Sequence, residues 1–107
     1  MNLLPWVVFV VAALLEVGGD AVVRHGLRGG RFVWLLVGAA ALAAYGLVVN
    51  SVKWDFSRLL GVYVAFFALV SILAGRFVLK ETVPPSTWLG LGLIVSGGLL
   101  IQFGRHF

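Results

Sequence analysis

The sequence predicts an all-α integral membrane protein built from four transmembrane helices. Three observations carry this reading. The chain has 107 residues, 62% hydrophobic and only 11% charged, with a mean hydropathy of +1.10; a soluble domain is about 45–50% apolar and about 25% charged. So short a chain cannot hide the excess in a core, because small domains bury the smallest share of their surface. Four apolar runs, Leu3–Val23, Phe32–Val49, Leu59–Leu79 and Trp88–Phe103, approach the roughly 20 residues that a spanning helix needs.

The first run begins without a basic region and continues past signal-peptide length into Glu16, so it reads as a span and not as a cleavable leader. The second, FVWLLVGAAALAAYGLVV, is apolar on every side. This excludes the two-residue alternation of a membrane β-strand. It is short for a full span and calls on flanking residues or local bilayer thinning. The third carries aromatics at three- and four-residue spacing, and the fourth follows Pro84-Pro85, which blocks continuation of a helix. Ser86 and Thr87 are the expected caps of that fourth helix.

Trp6, Trp34, Trp54 and Trp88 each stand at, or a few residues before, the start of one run. Tryptophan favours the membrane–water interface, where its ring is shielded and its N–H reaches water. Four spans place both termini on one side. Loops one and three carry Arg24, Arg28, Arg31, Arg76 and Lys80, against Lys53, Arg58 and Arg105 on the opposite side. The bias favours cytoplasmic loops one and three by two charges only, which leaves insertion in both orientations open.

The formal charge of +4 is spread over short loops and helix ends, where basic side chains meet lipid headgroups. No soluble module is left to bind nucleic acid. There is no cysteine, hence no disulfide or thiolate chemistry. No acid–histidine cluster has metal-ligand spacing, and no nucleophile–base set or cofactor motif suggests an enzyme. His25 is expected in a basic interfacial loop and His106 near the C-terminus, both as headgroup contacts.

Between Leu3 and Val23 the only ionisable side chains are Glu16 and Asp20. Glu16 stands about two thirds along the predicted helix, near the bilayer middle at ~1.5 Å rise per residue. A charge at that depth costs roughly 2.5–3.5 kcal/mol, so the side chain must face a cavity or partner, or carry a proton. An intramembrane acid marks a functional site. Ala12, Ala13, Gly19 and Asp20 share its helical face. The spacing 16–20–24 aligns Asp20 with Arg24 on the same stripe, which makes Asp20 either an ion-pair partner of Arg24 or part of a ligand path.

On the third helix Tyr63, Phe66, Phe67 and Val70 share one side, with Gly61, Ala65, Ala68 and Gly75 as its small residues. Tyr63 is a candidate hydrogen-bond partner for Glu16 and, with Phe66, part of an aromatic wall for a cation. Tyr45 on the second helix is a similar candidate. On the fourth, Gly90 and Gly97 lie two turns apart on one face with Leu93, Ile94 and Ile101. Small residues let membrane helices approach closely, and this face is expected to mediate self-association.

With these residues in view, the chain resembles the small multidrug-resistance-type transporters of the drug/metabolite transporter superfamily. The matching features are LLEVGG around Glu16, the four-span layout and the Gly90/Gly97 pair. The segments EVGG, WLLVGAAALAAYG and FSRLLGVYVAF resemble its YnfA-like branch more closely. The resemblance implies a multi-pass protein of the bacterial inner membrane, an antiparallel homodimer that exports small lipophilic cations in exchange for protons. Protons are the coupling ion and no other cofactor is implied. Tyr63 falls near the substrate-contacting aromatic of that family, and Gly90 and Gly97 on its dimerisation face. Asp20 is an additional acid, and KWDFSRLLGVY replaces the family's proline-containing start of helix three. Two alternatives stand beside this reading: a translocator of lipid or polyprenyl phosphate using Arg24, Arg28 and Arg31, and an accessory subunit of a larger membrane complex.

Overall fold

A computed structural model describes residues 3–104; Arg105 and His106 lie outside the described residues. Its elements are α1 (Leu4–Leu27), α2 (Phe32–Val49), α3 (Phe56–Phe77) and α4 (Pro85–Phe103). All four are long and apolar enough to cross a membrane. This is an all-α, multi-pass membrane protein, and there is no strand among the described residues.

The helix ends depart from the expected ones where polar residues suggested loop. α1 runs one turn beyond Val23, so that Arg24 and His25 form its last turn and His25 is helical. The negative end of the helix dipole favours cations there. α1 is therefore about 36 Å long at 1.5 Å per residue, enough to cross the ~30 Å hydrocarbon layer. Glu16 is its midpoint. α3 starts earlier, at Phe56, taking Ser57 and Arg58 into its first turn. α4 starts on Pro85 itself, with Pro84 as N-cap, and neither Ser86 nor Thr87 caps it. Proline suits the first helical position because its missing N–H would have no partner there.

The chain divides into two compact units at Lys53/Trp54, each an antiparallel helical hairpin. In the first, α1 packs on α2 around fully buried Phe9, Ala12, Ala13 and Val49. Its connecting turn is short because Gly29 adopts φ +94°, a left-handed conformation that glycine takes without a Cβ penalty. Close contact is glycine-dependent: a methyl group on Gly38 would lie 2.5 Å from Val23 Cγ2 and 2.9 Å from the Gly19 carbonyl oxygen. Asn50 then ends α2 by donating from Nδ2 to the Gly46 carbonyl at 2.8 Å.

The second hairpin packs α3 on α4 by the same device. A methyl on Gly61 would meet Ile101 Cδ1 at 2.7 Å, and one on Gly98 would meet Ala65 Cβ at 2.9 Å. Leu59, Val62, Tyr63, Ala68 and Leu91 form its buried apolar set. Below α3 the chain folds back through Lys80, at φ +57°, and the Glu81 N–H donates to the Gly75 carbonyl at 2.9 Å.

Candidate functional site

The register of the first hairpin determines what Glu16 faces. Gly26 lies against Leu35, Val23 against Gly38 and Gly19 against Leu42. These steps of three and four residues descend α1 as they climb α2, and the next step of three pairs Glu16 with Tyr45. The Tyr45 phenol indeed lies within electrostatic reach of both the Glu16 and Asp20 carboxylates. α2 contributes no other ionisable side chain and no other hydroxyl. The structure thus brings three predicted residues, Glu16, Asp20 and Tyr45, to one stretch of one hairpin.

Their exposures differ. Glu16 and Tyr45 are half-buried and Asp20 is exposed. The neighbours Ala12, Ala13 and Gly19 are buried against the α1–α2 seam. Small side chains there let the two backbones approach, and that approach holds the half-buried carboxylate and the phenol at one depth.

Tyr63 and Phe66 belong to the second hairpin. Tyr63 is buried, 3% exposed, and Phe66, Phe67 and Val70 beside it are half-buried, as their shared helical side requires. The predicted interhelical face of α4 separates into two. Gly98 and Ile101 engage α3, whereas nothing lies within 4 Å of a methyl group placed on Gly90 or Gly97. Ile101, expected on the Gly90/Gly97 stripe, is instead the side chain resting on Gly61.

One polar cluster escaped the sequence reading. Arg58, half-buried in the first turn of α3, donates from Nε to Gln102 Oε1 at 3.0 Å, and its guanidinium lies 3.8 Å above the Trp54 ring. The four-residue spacing of Trp54 and Arg58 was a visible signal. Gln102, 44 positions away, had none.

Comparison with known proteins agrees over nearly the full length. Residues 3–106 match the family described as "Uncharacterised BCR, YnfA/UPF0060 family". A UPF0060 membrane protein of Synechocystis sp. is 35% identical over 99 residues, covering 92% of each chain. One from Nocardia farcinica is 37% identical, covering 91% of this chain and 89% of its own. Another, from Streptomyces coelicolor, is 39% identical and covers 89% and 87%. No solved structure matches.

Proposed function

Since the chain belongs to the YnfA/UPF0060 family, an SMR-related branch of multi-pass membrane proteins, we propose that it is a proton-coupled exporter of small organic or lipophilic cations. The observation that carries this reading is the half-buried Glu16 at the midpoint of spanning helix α1, facing Tyr45. A carboxylate held there has two competing ways to be neutralised, by a proton or by a cationic guest.

Exchange follows from that competition. Proton binding on one side displaces the cation, and proton release on the other readmits it. Coupling requires that the two guests differ in their preference for the two access states. Tyr45 supplies an aromatic face for the cation, and Asp20, exposed one turn nearer the loop, guides cargo toward Glu16. A second copy of the chain completes the path through the Gly90/Gly97 face of α4.

The test is proton release from detergent-purified protein in weak buffer as a panel of organic cations is added. Wild type releases protons on cation binding and Glu16→Gln does not. Transport against a gradient by Glu16→Gln at the normal rate sinks the reading. Loss of activity on substituting Arg24, Arg28 and Arg31, with Glu16→Gln unaffected, points instead to a translocator of anionic, lipid-linked cargo.

A further inference from the structure

We propose that the turn end of the first hairpin is a binding surface for anionic phospholipid headgroups, formed by Arg24, His25, Arg28 and Arg31 and bordered by Trp34. Arg24 and His25 occupy the last turn of α1, Arg28 is its C-cap and Arg31 is the N-cap of α2. All four are exposed.

The backbone that joins these four residues makes a tight turn. The Arg28 N–H donates to the Arg24 carbonyl at 3.1 Å, and the Gly30 N–H to the His25 carbonyl, also at 3.1 Å. A methyl group on Gly30 would stand 2.6 Å from that same carbonyl oxygen, and Gly29 sits at φ +94°.

Charge and depth identify the partner. Arg28 and Arg31 fall within four residues, and no carboxylate lies between Asp20 and Asp55 in the sequence. Among the described residues, the opposite end of this hairpin carries Lys53 alone. Guanidinium groups match phosphate oxygens in a planar fork. His25 meets Trp34 edge to face, ring centroids 6.0 Å apart at 71°. An indole favours the headgroup level, which places the cluster where lipid phosphates lie. A zwitterionic leaflet offers these charges no net attraction. An anionic leaflet does. None of this depends on the transport reading.

The experiment reads Trp34 fluorescence in the full chain carrying Trp6→Phe, Trp54→Phe and Trp88→Phe, in vesicles containing brominated phosphatidylglycerol or brominated phosphatidylcholine. Brominated phosphatidylglycerol is expected to quench at lower mole fraction, with the preference shrinking as salt is raised. Arg28→Gln/Arg31→Gln lowers the preference by about fivefold per arginine, and Arg28→Lys/Arg31→Lys retains most of it. Equal quenching by the two lipids overturns the proposal, as does a preference unchanged in Arg28→Gln/Arg31→Gln. A second measurement uses the chain with all its tryptophans: phosphatidylglycerol added to mild detergent raises the thermal midpoint more than phosphatidylcholine does, and this difference disappears in Arg28→Gln/Arg31→Gln. If the difference persists in that variant, the surface is not the lipid site.

Discussion

Glu16 and Tyr45 occupy successive places in one helical seam, the carboxylate on α1 and the phenol on α2, one step beyond the Gly19–Leu42 contact. The pairing is local: it belongs to a hairpin with a four-residue turn and depends on Gly19 and Gly38 for its closeness. Tyr45→Phe removes the only hydroxyl that α2 carries. We expect weaker cation-induced proton release than in wild type, and no further loss when Tyr45→Phe is added to Glu16→Gln. Additive losses in the double variant would separate the two side chains functionally.

Gly38 offers a test of the seam itself. Its absent side chain would meet backbone atoms, the Val23 nitrogen and the Gly19 carbonyl oxygen, both at 2.9 Å. Backbone cannot step aside as a flexible side chain can. Gly38→Ala should destabilise the protein by about 1–3 kcal/mol, the usual range for overpacking. Gly46→Ala on the same helix meets nothing within 4 Å and should be near neutral. Unfolding in mixed micelles would compare them.

Gly97 and Gly98 are adjacent in sequence and opposite in consequence. Gly98 is pressed on Ala65, whereas the space beside Gly97 is open within the chain. Gly98→Val should loosen the α3–α4 hairpin and lower its unfolding midpoint. Gly97→Val should leave that midpoint in place and reduce self-association, read by crosslinking in membranes. A Gly97→Val protein that self-associates as strongly as wild type would remove Gly97 from the proposed dimer face.

Arg58 links the first turn of α3 to the last of α4, with Gln102 accepting its Nε–H and Trp54 beneath its plane. Lysine keeps the charge but has neither a planar fork nor an equivalent of Nε. Arg58→Lys should therefore cost about 1–2 kcal/mol, the scale of a cation–π contact together with a charged hydrogen bond. In a double-mutant cycle with Gln102→Leu, coupling of about 0.5–1.5 kcal/mol is expected. Zero coupling would mean that the bond contributes nothing to stability.

Composition made the four spans legible, because a chain with so few polar residues has no other way to fill its length. The α2 bounds are those that the apolar run predicted. Ends were read short where a helix continued through polar residues, Arg24 and His25 at the end of α1 and Ser57 and Arg58 at the start of α3, and read long at the end of α3, which stops at Phe77 and not at Leu79. Glu16 stood out as a candidate because its depth in an apolar run is a sequence property. Its pairing with Tyr45 was not, since register depends on how closely Gly19 and Gly38 let the backbones come. The same holds for Gly97 against Gly98, which one residue of rotation separates.

The division of the chain at Lys53 has a consequence for biogenesis. Each hairpin closes a glycine-lined seam between its own two helices. A pair leaving the ribosome meets its packing partner within one short turn, so insertion can proceed two helices at a time. Glu16 and Tyr45 enter the bilayer in the same pair, and the half-buried acid has its neighbouring phenol before the second half of the protein has been synthesised.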